Sequence, residues 1–305
     1  MSFRAWKQIG ADRGKNTPAS LDELEQNRRF PLMSDQRSAI LRLLDDDDAE
    51  TVALVQSKLV EVETLDGLRE LRADAAGLAA KHLDELILDV AQTKADSAFG
   101  DLCKRFGENG DLEQASWLLA ATFSPVENFE PIRAVLDLWG FEVSRRIASV
   151  LNKADRVRIL AEFLGRDMRL RGNDDDYYQI NNSLLPRVLE SRLGIPISLA
   201  MVYMLVAKRA GFRVDGVGLP GHFLARHEDV FFDPFHGGRR ISLEECAALL
   251  EQQNLALTPA HLAPTTPRQM LVRMLTNIYF IADQREPLLA GRITGWLESL
   301  RGEEA

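Results

Sequence analysis

The chain has 305 residues, 46% apolar and 27% charged, which suits one or two folded domains with a sizeable core and excludes a disordered chain. Its net charge is −9, with 15 Lys/Arg against 21 Asp/Glu in residues 1–110 and 22 against 25 beyond, so no basic half is hidden and nucleic acid is not an expected partner. The longest uncharged apolar stretch, Gly194 to Ala207, is shorter than the ~20 residues that cross a bilayer, and Met1 to Lys15 lacks the continuous apolar core of a secretory signal, so no membrane span and a cytoplasmic location are expected.

Apolar spacing near three and four over Ala39 to Leu44, Val52 to Val62, Leu83 to Val90 and Phe99 to Phe106 predicts successive short amphipathic helices. The acidic run Asp45 to Asp48 precedes one of them, where carboxylates cap free N–H groups and favour the helix dipole, so capping or solvated surface is expected there rather than a metal site. Cys103 and Cys246 lie far apart without CxxC spacing and read as two buried thiols. A Gly-Asp break at Gly107 to Asp111 leads to helices over Leu112 to Thr122, Ile132 to Leu151 and Arg156 to Arg169. The character then changes. "GNDDDYYQINNS", Gly172 to Ser183, is a polar loop, followed by a helix around Leu184 to Arg192. Pro196 opens an apolar helix to about Arg209, and Gly211 suits its stop. Beyond it "FRVDGVGL", "HFLAR" and "VFFDPF" shorten the period towards two and predict strands. A helix from Leu243 to Gln253, a Pro-punctuated connection, and an antiparallel pair over Arg268 to Asp283 and Pro287 to Leu300 complete the chain.

Gly216, Gly218 and Gly221 spell GxGxxG, but "HFLAR" after Pro220 reads as a strand where a dinucleotide site needs a helix, and no βαβ unit surrounds it. His222 and Asp233 carry more information. A tight turn near His227 to Asp229 folds their strands into a hairpin; with a loop at His227 and Glu228, Arg226 faces Asp229 and His222 faces Asp233, ~5 Å apart at Cβ. An imidazole–carboxylate bond fixes the histidine tautomer and supports its charged form, the orienting half of a Cys-His-Asp or Ser-His-Asp triad. The same spacing also suits an ordinary structural pair. His236 offers a third ligand, yet a hairpin and its following loop make unconvincing zinc geometry, so no metal and no cofactor are expected. His227 reads as a turn residue. Tyr177, Tyr178, Asn181 and Asn182 precede the Pro196 helix, where they line a cleft, assist an oxyanion site or simply build the turn; Gly221 stands beside His222 at the same cleft.

An apolar helix starting after Gly, then strand–His, then strand–Asp resembles the transglutaminase-like branch of papain-type folds. "RGNDDDYYQINNSLLPRVLESRLGIPISLAMVYMLVAKRAGF" and "GVGLPGHFLARHEDVFFDPFHGGR" are similar to the SirB family, a bacterial transglutaminase-like group. The resemblance covers roughly Asp111 to Cys246 and extends to the last two helices, which resemble a tetratricopeptide-like tail. "LLDDDDAETVALVQSKLVE" resembles the phrasing of HEAT-like repeats, without a second copy at a fixed period. The resemblance implies a nucleophilic cysteine in the first turn of the apolar helix, where the helix dipole and a neighbouring His stabilise a thiolate. Counted back from Gly211, that position is Pro196, whose side chain cannot attack anything. Ser198 is the nearest substitute, but two residues turn a helix ~200°, so its hydroxyl points elsewhere unless the first turn frays.

These readings converge on a predominantly helical α+β chain: a helical region over 1–110, a transglutaminase-like core with a small antiparallel sheet over 111–262, and a C-terminal helix pair over 263–305. The leading functional expectation is a non-catalytic or repurposed module that binds a protein or peptide. One rival is a hydrolase or acyltransferase in which Ser198 or another group attacks with His222 as base and Asp233 as orienter. The other is a scaffold with a vestigial cleft. Cys246, within "LEECAALL", is a further thiol that alkylation would test.

Overall fold

The computed structural model describes residues 34–283 and 285–301. The expectation about a leader over Met1 to Lys15 lies outside them. Contacts divide the chain into a compact unit up to Ile87 and a second from Leu88 onward. The first holds α1 (Ser34–Leu44), α2 (Ala49–Val62), α3 (Leu65–Ala73) and the start of α4 (Gly77–Arg105). The acidic run works as caps: the Asp48 carboxylate accepts from the Glu50 and Thr51 N–H groups at the start of α2, and Asp45 accepts from Leu78 N at 3.0 Å at the start of α4. Two expectations need correction. Thr64 caps α3, which the spacing did not reveal, and Leu83 to Phe106 is a single helix almost throughout rather than two. Its middle, Ala91 to Ala98, lacks a clear apolar stripe, but it also lacks Gly and Pro, so nothing breaks the ladder.

The second unit continues with α5 (Leu112–Ala121), α6 (Glu130–Arg146) and α7 (Lys153–Ala161), the last running into a π-helical turn over Glu162–Asp167. Asp111 and Asn152 cap α5 and α7 through side-chain oxygens. After β1 (Arg171–Gly172), a 3-10 turn Ile180–Ser183, α8 (Leu185–Ser191) and β2 (Leu193–Gly194) comes α9, Pro196–Arg209. Proline at its first position gives up an N–H that has no partner inside the helix, and Gly211 beyond its end adopts a φ of +85°. Helix α9 is the centre of the unit. Nearly every residue from Pro196 to Ala207 is buried, against α6 on one side and the sheet on another.

That sheet is an antiparallel meander, β3 (Asp215–Leu219), β4 (His222–His227), β5 (Val230–Asp233) and β6 (Arg239–Arg240). Phe223, Ala225 and Phe232 join the core around α9, whereas Val217, Leu219, Leu224 and Phe231 pack with Cys246 and Leu250 of α10 (Leu243–Glu251). Both faces are covered, which explains why β5 is buried throughout instead of alternating. The first two glycines of the GxGxxG string lie on β3 and the third, with φ +72°, in the Pro220–Gly221 turn between strands, a place for glycine in a type II turn.

Helices α11 (Pro267–Ala282) and α12 (Pro287–Arg301) complete the unit. They are antiparallel, since Arg268 at the start of α11 donates through Nε to Leu300 O at the end of α12, at 2.8 Å. Met270, Met274, Ile278, Ile293 and Trp296 join the same core as α9. Among the described residues no helix is long and apolar enough to cross a membrane.

Candidate functional site

The hairpin register differs from the one expected by two residues. Arg226 pairs with Phe231 and His227 with Val230, so the loop is Glu228–Asp229, and the expected Arg226–Asp229 and His222–Asp233 pairings are corrected. Glu228 takes the turn's left-handed conformation, φ +53°, and Lys153 forms ion pairs with both loop carboxylates. A shift of one would have sent the two side chains to opposite faces; a shift of two preserves the face. His222 therefore stands diagonal to Asp233, and its Nε2 lies 2.9 Å from Asp233 Oδ2. His227, expected in the turn, instead ends β4, buried, with Nδ1 2.7 Å from Arg213 O.

Asp233 ends β5 and caps the 3-10 turn Pro234–His236, its Oδ1 accepting from Phe235 N at 3.0 Å and His236 N at 3.4 Å. The turn brings His236 back over the same carboxylate, with Nδ1 2.8 Å from Oδ2. His236, weighed from the sequence only as a third metal ligand, thus meets the same carboxylate as His222. Asp-Pro followed by His at the third position was the available signal, because a capped turn returns its third residue to the capping oxygen. Burial acts to raise the Asp233 carboxyl, but the hydrogen bonds and charge of His222, then those of His236, outweigh it and hold the group below the ordinary carboxylate range. A neutral His222 that donates its Nε2–H to Asp233 would carry its lone pair on Nδ1.

These three residues open onto a cleft of about 760 Å³ that also holds Pro196, Tyr177, Tyr178 and Gly221. Phe235 forms its aromatic wall, with ring centroids 6.2 Å from both Tyr177 and His222. The far edge of the Phe235 ring packs against Gly172, where a Cβ would come within 2.3 Å of it, so glycine suits that position. Arg273 of α11 was not singled out from sequence. It donates to His222 O at 2.8 Å and Leu219 O at 3.0 Å, which ties the turn carrying His222 to the C-terminal helices.

The other sequence candidates lie elsewhere. Asn182 is buried and organises the preceding loop, its Nδ2 donating to Asp176 O at 2.7 Å and Tyr177 O at 3.0 Å, while Asn181 is exposed outside the cleft lining. Ser198 is fully buried; its hydroxyl donates to Asn182 O at 2.6 Å and accepts from Ile195 N at 3.1 Å. Gly194 lets that hydroxyl approach, since a Cβ there would stand 2.7 Å from Oγ. Ser198 thus ties the polar loop to the start of α9. Ser198→Ala is expected to destabilise the protein by about 0.5–1.5 kcal/mol in urea unfolding, because it removes the hydroxyl's bonds to the Ile195 N–H and the Asn182 carbonyl, which keep only their own 3.3 Å bond to each other.

Comparison with known proteins bears on this geometry. Residues 130–276 match the Transglutaminase-like superfamily. A UPF0162 protein from Xylella fastidiosa is 39% identical over 129 residues, 39% of this chain and 46% of the relative. A UPF0162 protein from Pseudomonas aeruginosa is 34% identical over 175 residues, 55% of this chain and 63% of the relative. F-box only protein 21 of Mus musculus is 30% identical over 123 residues, which is 36% of this chain and 19% of the relative. The chain thus spans less than two thirds of the length of these relatives. No solved structure matches it.

Proposed function

We propose that the transglutaminase-like domain is a repurposed, non-catalytic module whose cleft binds a protein or peptide in a regulatory role. One observation carries this reading: Pro196, without a nucleophilic atom, occupies the mouth of α9 in the cleft that holds the His222–Asp233 pair. Among the described residues no serine, threonine, cysteine or lysine lines the cleft in its place. Ser198 is buried with its hydroxyl engaged, and Cys103 and Cys246 are buried outside the cleft lining. Burial pushes the Cys103 thiol up to about 12 and raises Cys246 too, aided there by the charges of Glu245 and Asp233, so neither is a ready thiolate. The tyrosines and Phe235 provide the rigid apolar area that peptide-binding surfaces favour.

On the sequence resemblance we place the chain with SirB-type proteins in the cytoplasm, with a HEAT-like helical region over 1–110, the core over 111–262 and a tetratricopeptide-like pair over 263–305 as its working parts. The test uses purified full-length protein with serine- and cysteine-reactive probes and an amide-exchange assay. No labelling or turnover above that of His222→Ala is expected, while peptides selected on the wild type are expected to lose binding to Tyr178→Ala. Hydrolase or amide-exchange activity that His222→Ala abolishes without lowering thermal stability sinks the reading.

A second reading, a hydrolase or acyltransferase, is favoured by the intact imidazole–carboxylate bond, which orients His222 as a base whichever group attacks. Partner capture that survives cleft changes but fails with surface changes in the N-terminal helices would instead identify a scaffold.

A further inference from the structure

His222 and His236 aim ring nitrogens at one carboxylate oxygen, Asp233 Oδ2, from 2.9 and 2.8 Å. One ligand atom from each of the three residues, a ring nitrogen from each histidine and a carboxylate oxygen, lies within 4.8 Å of the other two. The carboxylate is not free to swing away, because its other oxygen is held by two backbone N–H groups of the turn it caps. We propose that these three side chains bind one divalent first-row transition metal ion at the floor of the cleft.

Two imidazoles and one carboxylate form a donor set that such ions take, and three protein ligands leave coordination positions for water or a ligand. All three groups face the cleft, so those positions open into it. The surrounding charge favours a cation: Asp174, Asp233 and Glu245 line the cleft against a single guanidinium, Arg239, which is itself paired with Glu245. The side chain of His236 is 57% exposed, against 3% for Asp233, so an ion reaches the buried carboxylate from the His236 side.

Binding needs no net loss of protons from neutral imidazoles. In the ion's absence each facing nitrogen donates its N–H to Oδ2; when the ion binds, the proton moves to the opposite ring nitrogen and the lone pair turns to the metal. For His222 that nitrogen is Nδ1. Metal binding and proton acceptance at Nδ1 therefore exclude each other, and an occupied site cannot use His222 as a base. The inference holds whether or not the cleft binds a peptide.

The experiment titrates chelator-treated full-length protein with Zn²⁺ by calorimetry and with Co²⁺ by visible absorption. One equivalent is expected to bind, with ligand-field bands for Co²⁺. His236→Ala, at an exposed side chain whose loss leaves the fold intact by thermal melting, is expected to weaken binding about tenfold or more, and His222→Ala likewise. His261→Ala, at a ring that pairs with Thr258 and does not line the cleft, is expected to leave it unchanged. Absence of stoichiometric binding, or binding that neither His236→Ala nor His222→Ala weakens, overturns the proposal. Acyl chemistry by the metal-free protein that depends on His222 would overturn the non-catalytic reading and leave this one standing.

Discussion

Replacing Pro196 by cysteine is expected to create a thiol that iodoacetamide alkylates at pH 6 about ten to a hundred times faster than a cysteine in the unfolded chain. The thiolate is the attacking species, and an ordinary cysteine at that pH is ionised to well under about one part in a hundred. Position 196 is the first residue of α9, where free N–H groups and the helix dipole favour negative charge, and it shares a cleft with the imidazole of His222. A pKa lowered by about two units from these influences accounts for the expected rate. The background is low because Cys103 and Cys246 are buried, and burial raises both thiols. Losing the preset φ of proline at a helix start should cost less than about 1 kcal/mol, so the variant folds. Mass spectrometry locates the adduct. Adding His222→Ala should remove most of the rate advantage; a rate no higher than that of the unfolded chain would show that the cleft has lost the geometry for activating a thiol at this position.

Asp233→Ala should have the largest effect on stability. It removes the acceptor for four donors: the His222 and His236 rings and the Phe235 and His236 N–H groups. Leaving such groups unpaired in a buried site is expected to cost about 2–4 kcal/mol, roughly 5–10 °C in Tm for a unit of this size. Asp233→Asn keeps one oxygen for the turn but cannot accept from both imidazoles, so it should fall between the two. The cost also has a pH signature. The folded Asp233 carboxyl titrates below its ordinary value, because the two imidazoles outweigh the opposing effect of burial. A depressed folded pKa stabilises fully above the unfolded value of about 3.9, and the contribution disappears as pH falls through the folded one. Urea unfolding should therefore show a constant difference between wild type and Asp233→Ala near neutrality that narrows only below about pH 4. A difference that shrank between pH 7 and pH 5 would contradict this assignment.

Much of this architecture was legible in the chain because local chemistry specifies it. The capping expected of the Asp45 to Asp48 run is found at Asp48, and Asp111, Asn152, Ser242 and Thr266 cap helices by the same chemistry. The start of α9 at Pro196 follows from the one place proline suits a helix, and its end from the left-handed Gly211. The α+β class, mostly helical with a small antiparallel sheet, followed from the change of apolar period after Gly211. Elements without a periodic stripe were harder to see. The middle of α4 shows that an absence of breakers can extend a helix where amphipathic spacing lapses.

At the site, the sequence alone determined that His222 and Asp233 share a face, because strand parity survives an error of two residues in register. It also determined that Pro196 offers no nucleophile, which is a matter of covalent structure. Only the tertiary structure decided which groups meet. It placed the loop at Glu228–Asp229, buried the Ser198 hydroxyl against Asn182 O, returned His236 to Asp233, and anchored His222 O to Arg273 from a helix fifty residues away. Those contacts depend on how separate elements pack, and packing is set by the shape of a shared core rather than by the order of residues along any one element.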